Sequence, residues 1–169
     1  MTHFTEIASR DIRDNPFQLV GREWMLITAG ALNAFNTMTA SWGTFGHLWE
    51  RDVAICYVRP QRHTYGFMER SGVYTLSFFD ETWRKALEYC GTHSGREVDK
   101  MAQTGLTPFA TPAGAVGFEQ ARLILECRKV YAGDIAEAGF VDRAVMDGVY
   151  PDRDFHRFYV GEISRVLRR

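Results

Sequence analysis

Hydrophobic and polar positions change places in short blocks along this chain, and few blocks keep a helical period. Trp24-Met25-Leu26-Ile27-Thr28 is an apolar run closed by Ala29-Gly30, which predicts a strand. Phe35–Trp42 puts Met38, Ala40 and Trp42 on one side and Thr37, Thr39 and Ser41 on the other. That is a period of two with one hydroxyl-rich face. Val53–Val58 and Val73–Phe79 are short β-rich runs of the buried type. Arg122–Val130 alternates Leu123, Leu125 and Cys127 against polar or mixed neighbours, and Arg157–Leu167 reads as a closing strand.

Helical patterning is sparser. Asp80 is the expected N-cap of a helix carrying Trp83, Leu87 and Cys90 at i, i+4 and i+7, with Gly91 as its stop. Ser94-Gly95-Arg96-Glu97 matches a capping box ahead of Val98, Met101 and Ala102, with Gly105 just past the helix end. A third, short helix is expected from Thr64 to about Arg70, with Thr64 as its cap. Five or more short strands with helices between them predict a mainly β fold, a closed barrel with peripheral helices. The spacing does not suit regular βαβ units.

Composition sharpens this picture. The 169 residues are 46% hydrophobic and 24% charged, as expected for a globular chain, read here as one domain over residues 1–169. A chain near this size buries roughly 70% of its unfolded surface, so disulfides are not required. Twenty Lys and Arg against twenty-one Asp and Glu leave a formal charge of −1. That balance offers no overall positive field and argues against a nucleic-acid partner. Cys56, Cys90 and Cys127 are odd in number and lack a CxxC pair, which predicts free buried thiols in a reducing compartment. Met1–Arg10 lacks the basic and apolar blocks of a signal peptide. The most apolar window, Trp24–Phe35, is too short and too interrupted by Gly30 and Asn33 to cross a bilayer. A soluble cytoplasmic protein with no membrane partner is the expectation.

Familiar chemistry is missing. There is no GxGxxG, no GxxxxGK[ST] loop, no HExxH and no GxSxG elbow, and His3, His47, His63, His93 and His156 show no metal-ligand spacing. No catalytic side chain and no metal site is predicted. Two segments remain. Asn36-Thr37-Met38-Thr39-Ala40-Ser41-Trp42-Gly43 packs an amide, three hydroxyls and a large aromatic into one strand and its exit. It reads either as the exposed face of a sheet or as a ligand-binding surface. Arg59-Pro60-Gln61-Arg62-His63-Thr64-Tyr65 leaves a buried strand, carries two guanidiniums and runs into a helix start. It reads either as a plain cap with solvated arginines or as an anion site built from helix N–H groups and charged donors. Taken together, the segments offer hydrogen bonds, a π-surface and phosphate charge, the needs of a phosphorylated aromatic cofactor.

Asn36–Gly43, Arg59–Tyr65 and Ser94-Gly95-Arg96-Glu97-Val98-Asp99-Lys100 resemble, in order and spacing, the flavin reductase-like, FMN-binding split-barrel family, in particular its flavoredoxin-type branch. Tyr74-Thr75-Leu76-Ser77-Phe78-Phe79 and His156-Arg157-Phe158-Tyr159-Val160-Gly161-Glu162-Ile163 extend the resemblance from about Asn15 to the C-terminus. It implies a six-stranded Greek-key split barrel and a homodimer with one FMN per subunit. It also implies an oxidoreductase in which NAD(P)H reduces bound flavin, which passes electrons to free flavin or another acceptor. A flavoredoxin-like electron carrier serving a protein partner, and a binding protein without turnover, belong to the same fold. By the resemblance, Asn36 and the backbone of Thr37, Met38, Thr39 and Ala40 line the ribityl and isoalloxazine edge of the flavin, and Ser41 and Trp42 lie near its ring or tail. Arg59, Gln61, Arg62, Thr64 and Lys100 surround its phosphate side. Phe155 and His156 cover the substrate face. Arg96 and Glu97 are read as part of the helix cap. Thr44, Phe45 and Asp52 depart from the family pattern, in the loop expected between the two motif strands.

Overall fold

The structure, a computed structural model, describes residues 4–169; His3 and the first three residues of Met1–Arg10 lie outside the described residues. Ten strands and five helices follow along the chain: β1 (Thr5–Ile7), α1 (Pro16–Gln18), β2 (Met25–Ala31), β3 (Ala34–Ala40), β4 (Gly43–Leu48), β5 (Arg51–Val58), α2 (His63–Arg70), β6 (Val73–Phe78), α3 (Arg84–Thr92), α4 (Lys100–Thr104), β7 (Pro108–Ala110), β8 (Val116–Phe118), β9 (Leu123–Asp134), α5 (Arg143–Val149) and β10 (Arg157–Arg168). The main sheet runs β3-β2-β6-β9-β10-β5-β4, with β1 added along β10, and every pair is antiparallel. β5 lies beside β10 although β6, β9 and β10 are successive neighbours, which is a Greek-key arrangement.

The sheet is forced to curl by its connectivity. The two edge strands, β3 and β4, are joined only by Ser41 and Trp42. Three peptide steps reach at most about 11 Å. The edges therefore come close without pairing, and the barrel is split between them. The expected six strands become eight in this sheet, plus the separate β7–β8 hairpin. The additions are short or edge elements. The largest is β4, in the segment expected to be a loop: Gly43–Leu48 pairs with Arg51–Val58, so Thr44, Phe45 and Asp52 sit in a hairpin. Its two-residue turn, Trp49-Glu50, has φ of 54° and 58°, the backbone that two-residue hairpins favour, reached without glycine.

Strand alternation fills the barrel. Met25, Ile27, Ala29, Tyr74, Leu76, Phe78, Leu123 and Leu125 pack inside with Cys56 and Cys127. The opposite faces of β2 and β9 give Leu26 and Ile124 to a second cluster, roofed by Leu87 and Cys90 of α3 and Phe118 of β8. Helices on one side and the inner core on the other make β2 apolar on both faces, the reason its sequence reads as a run. All three cysteines are free and buried. Burial pushes the Cys56 thiol up to about 12 and the Cys90 thiol up to about 11, and holds Cys127 well above the usual thiol range.

Three expected caps are corrected. Asp80 makes no side-chain cap bond and is followed by a single turn, Glu81–Trp83, before α3 starts at Arg84; α3 then runs through Gly91, its expected stop, to Thr92. Thr64 does not cap α2. The helix starts at His63 after Arg62, and the buried Thr64 hydroxyl instead accepts from Asn36 Nδ2 at 2.7 Å. The Ser94 box does not start a helix either. Ser94–Glu97 is a turn, and α4 begins at Lys100, capped by Asp99, which accepts from the Met101 and Ala102 N–H groups. Gly105 ends α4 in the left-handed conformation, φ 72°, as expected. Among the described residues no helix is long and apolar enough to cross a membrane.

Candidate functional site

β3 with its exit and the exit of β5 border a cleft with two lobes. The outer lobe, about 250 Å³, is lined by Met38–Trp42 of β3 and its exit, by Tyr57, Arg59 and Arg62, and by His156. The deep lobe, about 210 Å³, lies between Asn36 and Met38 of β3, Gln61–Thr64 at the start of α2, and Gly91–Glu97 with Lys100. Met38 and Arg62 line both. The Asn36–Thr64 hydrogen bond ties the hydroxyl-bearing strand to the cationic turn at their meeting point.

β3 serves the cleft through its backbone more than its hydroxyls. The Thr37 hydroxyl is occupied by Thr28 Oγ1 at 2.8 Å and the Ile27 carbonyl, and the Thr39 hydroxyl by the Leu87 carbonyl. Because β3 is an edge strand, alternate backbone groups point away from the sheet. The Thr37 carbonyl does so, accepting from Lys100 Nζ at 2.7 Å. The same ammonium donates to the Cys90 carbonyl at 2.8 Å. Lys100 thus fastens α4 to β3 and α3 while lining the deep lobe. Burial lowers its pKa to about 8, with Arg62 pushing the same way.

Gly95 lets the Ser94–Glu97 turn pass close to β3. A Cβ there would fall 2.0 Å from Asn36 Oδ1. This brings Arg96 to the deep lobe, where its guanidinium reaches the Gln61 carbonyl at 3.5 Å. Arg96 and Glu97, both expected at a helix cap, line this lobe instead; their membership of the Ser94–Lys100 motif was the available signal.

The arginines at the exit of β5 differ. Arg62 is half-buried and has no ion pair among the described residues. Burial and the Arg59 charge pull its pKa down. His63 is lowered by burial and then by Arg96 and Lys100, a sign of the uncompensated positive field around the deep lobe. Glu97 is the acid among that lobe's lining residues. Arg59, in contrast, is engaged by Asp154, and it donates to the Val149 carbonyl at 3.3 Å. Gln61 Nε2 also donates to Asp154, at 2.7 Å.

The connection between β9 and β10 forms the far wall of the outer lobe. His156 lies 4.8 Å from the Trp42 ring, and its Nδ1 is 2.8 Å from the Tyr150 hydroxyl. Trp42 is still 42% exposed, so it presents ring surface to the cleft. Burial, then the Arg59 charge, lowers His156 to about 4 and keeps it neutral. Phe155 packs with Tyr150 and Phe140, centroids 4.9 and 5.9 Å away, and lines neither lobe. The structure therefore brings Asn36, Met38–Trp42, Arg59, Gln61, Arg62, Thr64, Lys100 and His156 to one cleft. Thr37 meets it through its carbonyl, and Phe155 stands apart.

Comparison with known proteins follows this geometry. A model of the Flavin reductase like domain family matches residues 17–168. No curated protein matches the chain. Among solved structures, flavoredoxin from Methanosarcina acetivorans is similar with a TM-score of 0.68 at 21% identity, over 87% of this chain and 68% of that one. An FMN-binding protein from Thermus thermophilus with bound p-hydroxybenzaldehyde gives 0.67 at 20% identity, over 96% and 82%. The NADH:FAD oxidoreductase of Streptomyces globisporus C-1027, in complex with NAD and FAD fragments, gives 0.65 at 16% identity, over 87% and 74%. With a split β barrel and a family match across almost its whole length, the chain belongs to the Flavin reductase like domain family.

Proposed function

We propose that this chain is an FMN-dependent oxidoreductase, one domain over residues 1–169 working as a homodimer. It would take reducing equivalents from NAD(P)H and deliver them to free flavin or another acceptor. The observation that carries the reading is Arg62, a half-buried guanidinium with no carboxylate partner among the described residues, standing where the two lobes join. A buried cation in that state calls for an anion. A phosphate monoester carries close to two negative charges near neutrality. Arg62, Arg96, Lys100 and the N-terminal turn of α2 offer the charge-assisted donors that match it. The outward backbone groups of β3 and the exposed Trp42 face suit a planar, hydrogen-bonding ring in the outer lobe.

When bound, the flavin supplies the hydride and electron chemistry. The residues of this chain do the rest. Arg62, Arg96 and Lys100 hold the phosphate, the β3 edge orients the ring, and Trp42 with His156 shields its open side from water. His156, neutral at physiological pH, orients and hydrogen-bonds without carrying charge. The relatives support both an enzyme and a carrier, since an oxidoreductase and a flavoredoxin share the fold.

Purified protein loaded with FMN, with its visible spectrum recorded and the released chromophore identified, tests the cofactor. Anaerobic addition of NADH and NADPH tests the donor. Bleaching by either nucleotide is expected. Failure to take up FMN overturns the reading, and bleaching only by a reduced protein donor makes the chain a carrier.

A further inference from the structure

The wall of the outer lobe is fastened at one carboxylate. Asp154 accepts from both Arg59 and Gln61, two of the four residues between β5 and α2. Arg59 adds a hydrogen bond to the Val149 carbonyl, and its guanidinium lies 5.4 Å from the centroid of the Tyr150 ring. Tyr150 in turn holds His156 through its hydroxyl, and His156 packs on Trp42. A chain of contacts thus runs from Asp154 to the ring surface of the cleft. The same carboxylate also cancels a cation. Arg59 lines the outer lobe, yet its charge is matched at short range, while Arg62 and Arg96 have no such partner among the described residues. The outer lobe beyond Arg62 consequently offers an indole, a phenol and a neutral imidazole: Trp42, Tyr57 and His156.

We propose that Asp154 sets the charge preference of the outer lobe: by clasping Arg59 it seats the Tyr150–His156 pair against Trp42 and leaves a wall suited to an uncharged planar ring. Asp154 touches no ligand in this scheme and is a positioning residue. The inference rests on the flavin reading, in which the flavin ring lies along the β3 edge of the outer lobe and a second ring stacks between it and the Trp42–His156 wall. A cation held by a fixed carboxylate attracts a further anion weakly, whereas a guanidinium released from its partner binds sulfonates and carboxylates well. Replacing Asp154 by its neutral isostere therefore changes which ligand the lobe favours, an effect that looser packing alone does not produce.

The test uses the FMN-loaded full-length chain, with 2-naphthol and naphthalene-2-sulfonate as uncharged and anionic probes of one ring size. Their dissociation constants are measured by titration calorimetry at neutral pH. In Asp154→Asn the sulfonate gains on the naphthol by about tenfold, the scale of one charge-assisted hydrogen bond. Asp154→Glu restores the original preference. Arg59→Gln combined with Asp154→Asn abolishes the gain, because the released cation is gone. FMN affinity stays within about twofold in Asp154→Asn and Asp154→Glu, because the phosphate contacts do not involve Asp154. An unchanged ratio in Asp154→Asn, or a gain that survives in the double variant, overturns the proposal. Should Asp154→Asn fail to fold, Asp154→Ser carries the same expectation. A chain that takes up no FMN defeats the proposed function instead, and the same titrations on the flavin-free protein still decide the role of Asp154.

Discussion

Arg59 and Arg62 stand three positions apart at the exit of β5, and the fold treats them in opposite ways. Arg59 meets a carboxylate from the β9–β10 connection, 95 residues further along the chain. Arg62 lines both lobes at their junction and meets none among the described residues. Both carry the same charge and flank the same turn. What separates them is a partner that only tertiary structure supplies. An arginine count near a helix start therefore overstates the charge available to a ligand, and the deep lobe is the more electropositive of the two although the outer lobe holds as many guanidiniums.

The sharpest way to break this contrast is Arg62→Ala. FMN affinity is expected to fall by between tenfold and about a hundredfold, the scale of about 1.5–3 kcal/mol for a charged hydrogen bond. Flavin fluorescence titration reads it, and a change below about threefold would remove Arg62 from the phosphate site. Next in size is the pH dependence of FMN binding. Lys100, lowered to about 8 chiefly by burial, is a cation below that pH and neutral above it. Bound phosphate favours the protonated amine, so affinity is full below pH 8 and declines as pH rises through it, by up to about tenfold per unit of pKa displacement. Riboflavin, which has no phosphate, is the control and should show no decline. An equal slope for both ligands would place Lys100 outside the anion's field.

A smaller effect is expected on the outer wall in acid. His156 is neutral in its seat, with a pKa near 4, whereas a free imidazole takes its proton near 6.5. Released and unfolded states therefore bind the proton first. The seat contributes stability above pH 6.5, and that contribution is lost as pH falls from 6.5 toward 4. Tryptophan emission should shift across this window and flatten in His156→Gln. The smallest change belongs to Arg59→Ala, for which FMN affinity is expected to move by less than about threefold, because the guanidinium already has its carboxylate. A loss matching that of Arg62→Ala would erase the distinction between the two arginines.

Much of this molecule was legible in its sequence where one rule acted alone. The strands at Met25–Ala31 and Val73–Phe78 follow from apolar runs that bury one or both faces. That the Asn36–Gly43 and Arg59–Tyr65 segments serve one cleft was readable from their complementary chemistry, hydrogen bonds and a π-surface in one and cationic charge in the other, together with the family resemblance. Legibility failed where a local signal met a tertiary partner. Thr64 has the cap chemistry, yet Asn36 claims its hydroxyl. Ser94 and Glu97 match a capping box, yet Gly95 must pass against Asn36, and the helix waits for Asp99. β4 escaped notice because Gly43, Gly46 and His47 interrupt its alternation, and its turn, Trp49-Glu50, carries no glycine or asparagine to announce it. The Arg59–Asp154 clasp has no sequence signature at all.

The sealed thiols of the barrel have a practical corollary. Cys56, Cys90 and Cys127 are shut away from solvent and held in their unreactive protonated forms. A maleimide dye offered to the native fold finds no ready attachment point among them. One cysteine introduced on the outside, for instance Val145→Cys on α5, where the side chain is 52% exposed, would then take the label alone. The wild-type chain is in that sense already a background-free scaffold for watching the β9–β10 connection in solution.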